Sequence, residues 1–280
     1  MSSFEFAAVG DNCIDRFMPP IGLSLIGGNA VNVAVQLSRL GLKTGYFGAV
    51  GPDEDGRRIL ACLKDNGVCI DHVQILPGVT AYTNIDVDET GERTLAFEEF
   101  GVCKGYRPND LDLQTLMKMR HVHIGWLDDG GALRRTLKAA GVSVSQDISV
   151  NADPRHLGVD GLDIAFSSAG DDPGEAEHLL RSTLAGGAKL AVVTCGSRGS
   201  MASDGNQVKT AGIKPVDVVD TTGAGDSFIA GFISGSSAGR DLQTCLEIGR
   251  DVAALACCHI GGFPQPALPL RKHSGRAMRR

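Results

Sequence analysis

No stretch of the 280 residues approaches the roughly 18 consecutive apolar residues that a membrane-spanning helix needs, and no basic segment leads into an apolar run at the amino end. Neither spanning nor secretion is expected, and a cytoplasmic location is. The eight cysteines contain no Cys-x-x-Cys pair, and no His-Glu-x-x-His element is present, so neither a disulfide framework nor a zinc site is read. Cys257 and Cys258 are adjacent and the others are scattered, which fits buried free thiols. The Gly-x-x-x-x-Gly-Lys-Ser/Thr phosphate loop is missing, and Gly223-x-Gly225 has Phe228 where the dinucleotide fingerprint needs a third glycine. Positive charge is not in excess either: a net charge of −6 argues against a general nucleic-acid role. The basic segment 271–280 is expected to be a disordered tail. No internal repeat or low-complexity linker interrupts the chain.

What the chain does have is concentrated near its carboxyl end, in Asp220-Thr221-Thr222-Gly223-Ala224-Gly225-Asp226-Ser227-Phe228. The two glycines permit a tight turn with several N–H groups facing one way, and Asp226 to Ser237 is expected to form a helix. The free amides and positive dipole end of such a helix suit an anion. Asp226, in the first helical turn, is a carboxylate that can accept a proton from a substrate hydroxyl. A plain helix start with an acidic first turn fits the same residues.

A second glycine cluster, Gly27-Gly28-Asn29-Ala30-Val31-Asn32-Val33-Ala34, opens an apolar helical run over Ala30 to Leu40 that Gly41 stops. Asn29 and Asn32 lie three apart on one face, where their amides can both donate to and accept from sugar hydroxyls. Asn29 also fits a helix cap. The 42% apolar content is ample for a core. Strands are expected at Phe6 to Val9, Thr44 to Val50, His121 to Ile124, Val142 to Gln146, Ile164 to Ser167 and Leu190 to Thr194. Helices are expected at Gly56 to Asn66, Gly131 to Ala140 and Gly174 to Leu184. This alternation predicts an α/β fold, a mainly parallel sheet flanked by helices on both faces, with ligands beyond the carboxyl ends of the strands. Two segments depart from it. Tyr82 to Val87 and Arg93 to Phe97, joined by residues 88–92, read as a hairpin, and Phe17 to Ile26 is rich in proline and glycine.

GGNAVNVA at Gly27 to Ala34, DTTGAGDSFIAGF at Asp220 to Phe232, and the intervening Val192 to Ser200 together resemble the PfkB or ribokinase-like carbohydrate kinases over about residues 5–268. The opening Gly10-Asp11-Asn12-Cys13-Ile14-Asp15 is most similar to the fructosamine kinases, which include fructoselysine 6-kinases. The resemblance implies a ribokinase-like kinase domain over 1–270, with a small β-sheet lid from about 12–26 and 78–102 that closes over the sugar and often pairs with a second subunit. It implies ATP and Mg²⁺, and transfer of the γ-phosphoryl group to a sugar hydroxyl, here the 6-hydroxyl of a fructosamine. Asp226 would be the base, with the amides of Gly223, Ala224, Gly225 and Asp226 stabilising the transferring group. Asn12, Asp15, Gly28, Asn29 and Asn32 match sugar-contacting positions, and Thr194, Gly196 and Gly199, with Gly223 and Gly225, match the nucleotide side. Asp220 and Thr222 match a monovalent-cation site, for K⁺ in part of the family. Asp15 also fits an ordinary turn and Asp220 an ordinary cap.

Many relatives carry Asn-x-x-Glu after the strand that here ends in Ile164-Ala165-Phe166. This chain has Ser167-Ser168-Ala169-Gly170-Asp171-Asp172, which leaves Asp171, Asp172 or Glu175 to act on magnesium through water. In the expected lid, Arg93, Glu98 and Glu99 are candidates to pair with the amine and carboxylate of a fructosamine. A kinase for fructose, a deoxygluconate, a ribose-type sugar or a nucleoside is the alternative among enzymes. A sugar sensor without catalysis is the alternative outside them.

Overall fold

The computed structural model describes residues 4–87 and 93–270. The expected tail at 271–280 and the turn at 88–92 lie outside the described residues, as does the side chain of Arg93. The chain begins with β1 (Phe6–Val9), β2 (Cys13–Phe17), β3 (Leu23–Gly27), α1 (Asn29–Arg39), β4 (Thr44–Val50), α2 (Glu54–Asp65) and β5 (Val73–Ile75). The hairpin β6 (Tyr82–Val87) and β7 (Arg93–Glu99) follows, then α3 (Asp110–Leu116), β8 (His121–Ile124), α4 (Ala132–Ala139), β9 (Ser143–Asp147) and β10 (Ile164–Ser168). The remainder is α5 (Pro173–Ala185), β11 (Ala191–Thr194), β12 (Ser200–Ser203), β13 (Val208–Ala211), α6 (Ala224–Ser237), α7 (Leu242–Ala256) and β14 (Leu268–Pro269).

Nine strands form the main sheet in the order β13-β12-β11-β10-β9-β8-β1-β4-β5, parallel from β11 to β5, with β12 and β13 antiparallel at one edge. β1 and β4 are buried along their whole length, as central parallel strands covered on both faces must be. Alternation along β1 divides the core. Ala7 and Val9 pack with Leu116 of α3 and Leu133 and Leu137 of α4. Phe6 faces Val33 and Leu37 of α1 and Phe228 to Ile233 of α6, while Ala8 faces α1 and Ile59 and Leu63 of α2. Helices therefore cover both faces, as the fold class requires.

The second sheet runs β14-β3-β2-β6-β7, with β2 and β6 paired in parallel and the other neighbours antiparallel. Within the Pro- and Gly-rich segment Phe17 to Ile26, β2 ends at Phe17, residues 18–22 turn, and β3 begins at Leu23. Phe17, Leu25 and Ile85 give this small sheet an apolar cluster of its own. The long helix α7, packed along α6, was not among the expected elements.

Candidate active site

The sheet order reverses direction between β1 and β8, so the loops after these strands open a crevice where ligands bind in open α/β sheets. Gly10, Asp11 and Asn12 leave β1 there. Asp11 does what a helix cap would do: its Oδ2 accepts from Asn29 N–H at 2.7 Å, and its Oδ1 accepts from Ala30 N–H at 3.2 Å and Trp126 N–H at 3.0 Å. The residue in the capping position is Gly28, at φ 104° and with no side chain to offer, so Asn29 is the first residue of α1 and not its cap. A Cβ on Gly28 would lie 2.6 Å from the Cα of Asn12, which is why that approach needs glycine.

Asp226 is the third residue of α6, and Gly223 occupies the capping position in the left-handed region at φ 72°. The Asp226 carboxylate faces α1. Its Oδ1 accepts from Asn29 Nδ2 at 2.6 Å and its Oδ2 from Asn32 Nδ2 at 2.7 Å. Asn29 Nδ2 also donates to Asp147 Oδ2, at 2.9 Å, at the end of β9. Asp226 as a residue is only partly covered, but its carboxylate is desolvated. That burial pushes its pKa up to about 8, against the lowering effect of Asn32 and with the charges of Asp147 and Asp11 adding to the rise. Burial likewise raises Asp147 and Asp11.

Of the four first-turn amides expected to face an anion, Ala224 N–H is turned back to Thr221 O at 3.1 Å. Those of Gly225 and Asp226 have no carbonyl partner among the described residues. In this crevice two buried side-chain oxygens are likewise without a partner among the described residues, Asn12 Oδ1 and Asn32 Oδ1. Asn12 holds its place by donating from Nδ2 to Tyr46 Oη at 2.9 Å and Ala49 O at 2.7 Å.

Thr194, Gly196 and Gly199 lie at the end of β11 and in the turn after it, two strands from β9 and so about 10 Å away across the sheet. Asp171 shapes that turn: its Oδ1 accepts from Ser197 N–H at 3.0 Å and Ser197 Oγ at 2.8 Å. Asp172 caps α5 through the amides of Gly174 and Glu175. Two of the three carboxylates considered for magnesium thus already organise backbone. No group of three or more metal-ligating side chains occurs among the described residues. Asp220 is buried, with Oδ1 accepting from Thr222 N–H and Oδ2 from Gly261 N–H, each at 2.8 Å, so it ties the loop before α6 to the segment after α7.

In the small sheet, Asp15 is buried, and Cys13 Sγ donates to its Oδ1 at 3.0 Å. Glu98 pairs across to Thr83, itself beside Asp15 in register. Partial desolvation, with the charges of Asp11 and Asp15, raises the Glu98 carboxyl above its ordinary range. Glu99 instead accepts from Gly101 N–H at 3.0 Å.

The family model of pfkB carbohydrate kinases matches residues 24–125 and 157–267, spanning both glycine clusters and the loop after β11. The chain belongs to the pfkB family of carbohydrate kinases. It is 36% identical over 259 residues to the fructoselysine 6-kinase of Escherichia coli, covering 92% of this chain and 98% of that protein. In fold it is similar to the ribokinase of Arabidopsis thaliana complexed with ribose and ATP, at a TM-score of 0.82 and 24% identity, covering 93% and 94% of the two chains. A ribokinase-type protein of Escherichia coli in complex with ATP and Mg²⁺ aligns at a TM-score of 0.78 and 22% identity over 92% of this chain and 94% of that one. The sequence thus encodes a carbohydrate kinase on a ribokinase-like fold.

For this pfkB kinase, the structure brings Asn12, Gly28, Asn29, Asn32, Gly223, Gly225 and Asp226 to one crevice. Asp11, Asp147 and His123 were not anticipated there. Asp11 sits inside the Gly10 to Asp15 segment, where nothing in the residue order sets it apart, and the other two are on strands that are 118 and 94 residues from Asn29 in sequence. No local pattern marks such partners.

Proposed function

We propose that this kinase transfers the γ-phosphoryl group of ATP to the 6-hydroxyl of a fructosamine such as fructoselysine. The observation that carries the sugar-binding part is the pair of buried acceptors, Asn12 Oδ1 and Asn32 Oδ1, that no protein donor satisfies among the described residues. A buried acceptor without a donor is costly, and a polyol supplies donors. Asn32 belongs to the Asp226 cluster, so a hydroxyl bound there is close to the carboxylate that would take its proton. The Gly225 and Asp226 amides, with Gly223 shaping the turn, would stabilise charge on the transferring group. Thr194, Gly196 and Gly199 would hold the nucleotide.

Magnesium fits this chain as a partner of the nucleotide, because Mg²⁺ is held mainly by phosphate oxygens and waters and needs no protein cage. When bound, it neutralises phosphate charge. K⁺ beside Asp220 and Thr222 belongs to the same reading. So does a lid role for the small sheet, which would exclude water from the phosphoryl donor, and a homodimer joined through it. Exposed Leu95 and Phe97 on β7 support the pairing surface.

The preference for a fructosamine rests on similarity to the fructoselysine 6-kinase and on Asp15 and Glu98, whose charge suits a cationic amine. A coupled ADP-release screen over ketohexoses, fructosamines and nucleosides, with Mg²⁺ and K⁺ each withheld in turn, tests the reading. Release is expected only with an acceptor and Mg²⁺, and fastest with a fructosamine in K⁺. Vigorous ATP hydrolysis without acceptor overturns the assignment, and light scattering on the same preparation reads the dimer. Removing the charges of Arg93, Glu98 and Glu99 together should cut the fructosamine-over-fructose preference about tenfold, the worth of one charge-assisted hydrogen bond. An unchanged preference would exclude them from recognition.

A further inference from the structure

His123 lies in the middle strand segment β8, fully buried, at the inner end of a hydrogen-bonded chain that crosses the sheet beneath α1. Ser143 Oγ is 2.9 Å from His121 Nδ1, His121 Nε2 is 2.8 Å from Ser145 Oγ, and Ser145 Oγ is 2.9 Å from His123 Nδ1. His123 Nε2 is then 3.3 Å from Asn29 Oδ1, and Asn29 Nδ2 reaches both Asp226 and Asp147.

The direction of this chain follows from its far end. In the ionised state in which Asp226 acts as base, the two carboxylates can be met only by the N–H₂ side of the Asn29 amide, so Asn29 Oδ1 faces His123 and accepts. His123 therefore carries its proton on Nε2, its Nδ1 accepts from Ser145, Ser145 accepts from His121 Nε2–H, and His121 Nδ1 accepts from Ser143. Burial keeps both imidazoles neutral, with pKa values lowered to about 3 for His123 and about 4 for His121. Every donor along the line has one acceptor, and no alternative tautomer completes it.

We infer that His123 is a positioning residue for phosphoryl transfer, fixing the orientation of the Asn29 amide so that both its N–H groups hold the Asp226 and Asp147 carboxylates. The inference rests on Asp226 acting as the base. Without the His123 donor, Asn29 Oδ1 is left buried with no donor, a costly state that the amide relieves by shifting off its two carboxylates. Asp226 then loses a hydrogen bond that favours its charged form while the charges of Asp147 and Asp11 still face it from β9 and the loop after β1. The base becomes harder to ionise and less well placed.

The test compares His123→Phe, which keeps an aromatic ring against Phe166, with His123→Gln, whose amide nitrogen restores a donor near the Nε2 position. Phe is expected to lower kcat about tenfold or more, since small misplacements of reacting groups are costly, with KM for sugar and nucleotide little changed. The acid limb of kcat/KM should move to higher pH by about half to one unit, the equivalent of one net hydrogen bond. Gln should recover most of both. A Phe variant with reduced melting temperature but wild-type kcat and an unmoved acid limb would confine His123 to packing. If Asp226→Asn itself keeps full turnover, the base assignment fails first, which separates the two conclusions.

Discussion

Asp226→Asn is expected to lower kcat by about 10²- to 10⁴-fold, the usual contribution of a general base, while leaving nucleotide and sugar affinity in place. The variant should also be at least as stable as the wild type. The Asp226 carboxyl titrates at about 8 in the folded protein because it is desolvated beside Asn32, Asp147 and Asp11, whereas its ordinary value is 3.8. Folding thus favours its protonated form. The stabilisation that this form gives is complete below the unfolded value and is lost as pH rises through about 8. An asparagine never ionises, so the melting-temperature advantage of the variant should be absent at pH 4 and widen towards pH 9. In the wild type, kcat/KM should rise with pH through an acid limb near 8. Pre-steady-state turnover and calorimetry across this range check both halves. Near-wild-type kcat would return Asp226 to the role of a first-turn carboxylate in an ordinary helix.

Gly223→Ala should be severely damaging, and Gly225→Ala should not destabilise. At Gly223 the backbone is left-handed, and an added Cβ would sit 2.3 Å from the Cα of Gly262. Gly262 cannot yield freely: its carbonyl accepts from Gln36 Nε2 at 2.8 Å, and the Asn32 side chain lies so near that a Cβ on Gly262 would be 2.5 Å from Asn32 Oδ1. Displacement therefore passes from Gly223 through Gly262 to Asn32 and the Asp226 carboxylate. Left-handed strain and overpacking together put the loss at about 2–5 kcal/mol. For a domain of this size that is a fall in melting temperature of about 5–15 °C. Gly225 has ordinary helical backbone, and a Cβ added there would meet no protein atom within 4 Å, so alanine is expected to keep the melting temperature. A loss of turnover in Gly225→Ala without a loss of stability would place that Cβ in the path of the phosphates. Equal destabilisation by the two substitutions would contradict the assigned geometry.

The distinction between these two glycines marks where sequence reading stops. Both look alike in the motif, as turn residues before a helix, because a glycine in sequence reports only that a side chain is absent. Whether that absence serves backbone conformation, close approach of a distant segment or room for a ligand depends on what lies beside it. Gly262, which decides the matter for Gly223, is 39 positions away.

Local pattern was enough for much of the rest. The largely apolar runs of β1, β4 and β11 and the 3.6-residue periodicity of α1 are short-range consequences of burial, and they placed these elements within a residue or two of where they lie. The two glycine motifs carried the kinase family and the carboxylate at Asp226, since turn, helix start and acid are contiguous in the chain. Only the folded chain decided the rest. Neighbouring strands brought Asp11, His123 and Asp147 to Asn29, and the crevice raised the Asp226 pKa by removing its carboxylate from water. Strand pairing between distant segments joined β14, β3 and β2 to the hairpin β6–β7 in the small sheet. Each of these depends on contacts between positions far apart in sequence, and hydrogen bonding and desolvation across such contacts leave no periodic trace in the order of residues.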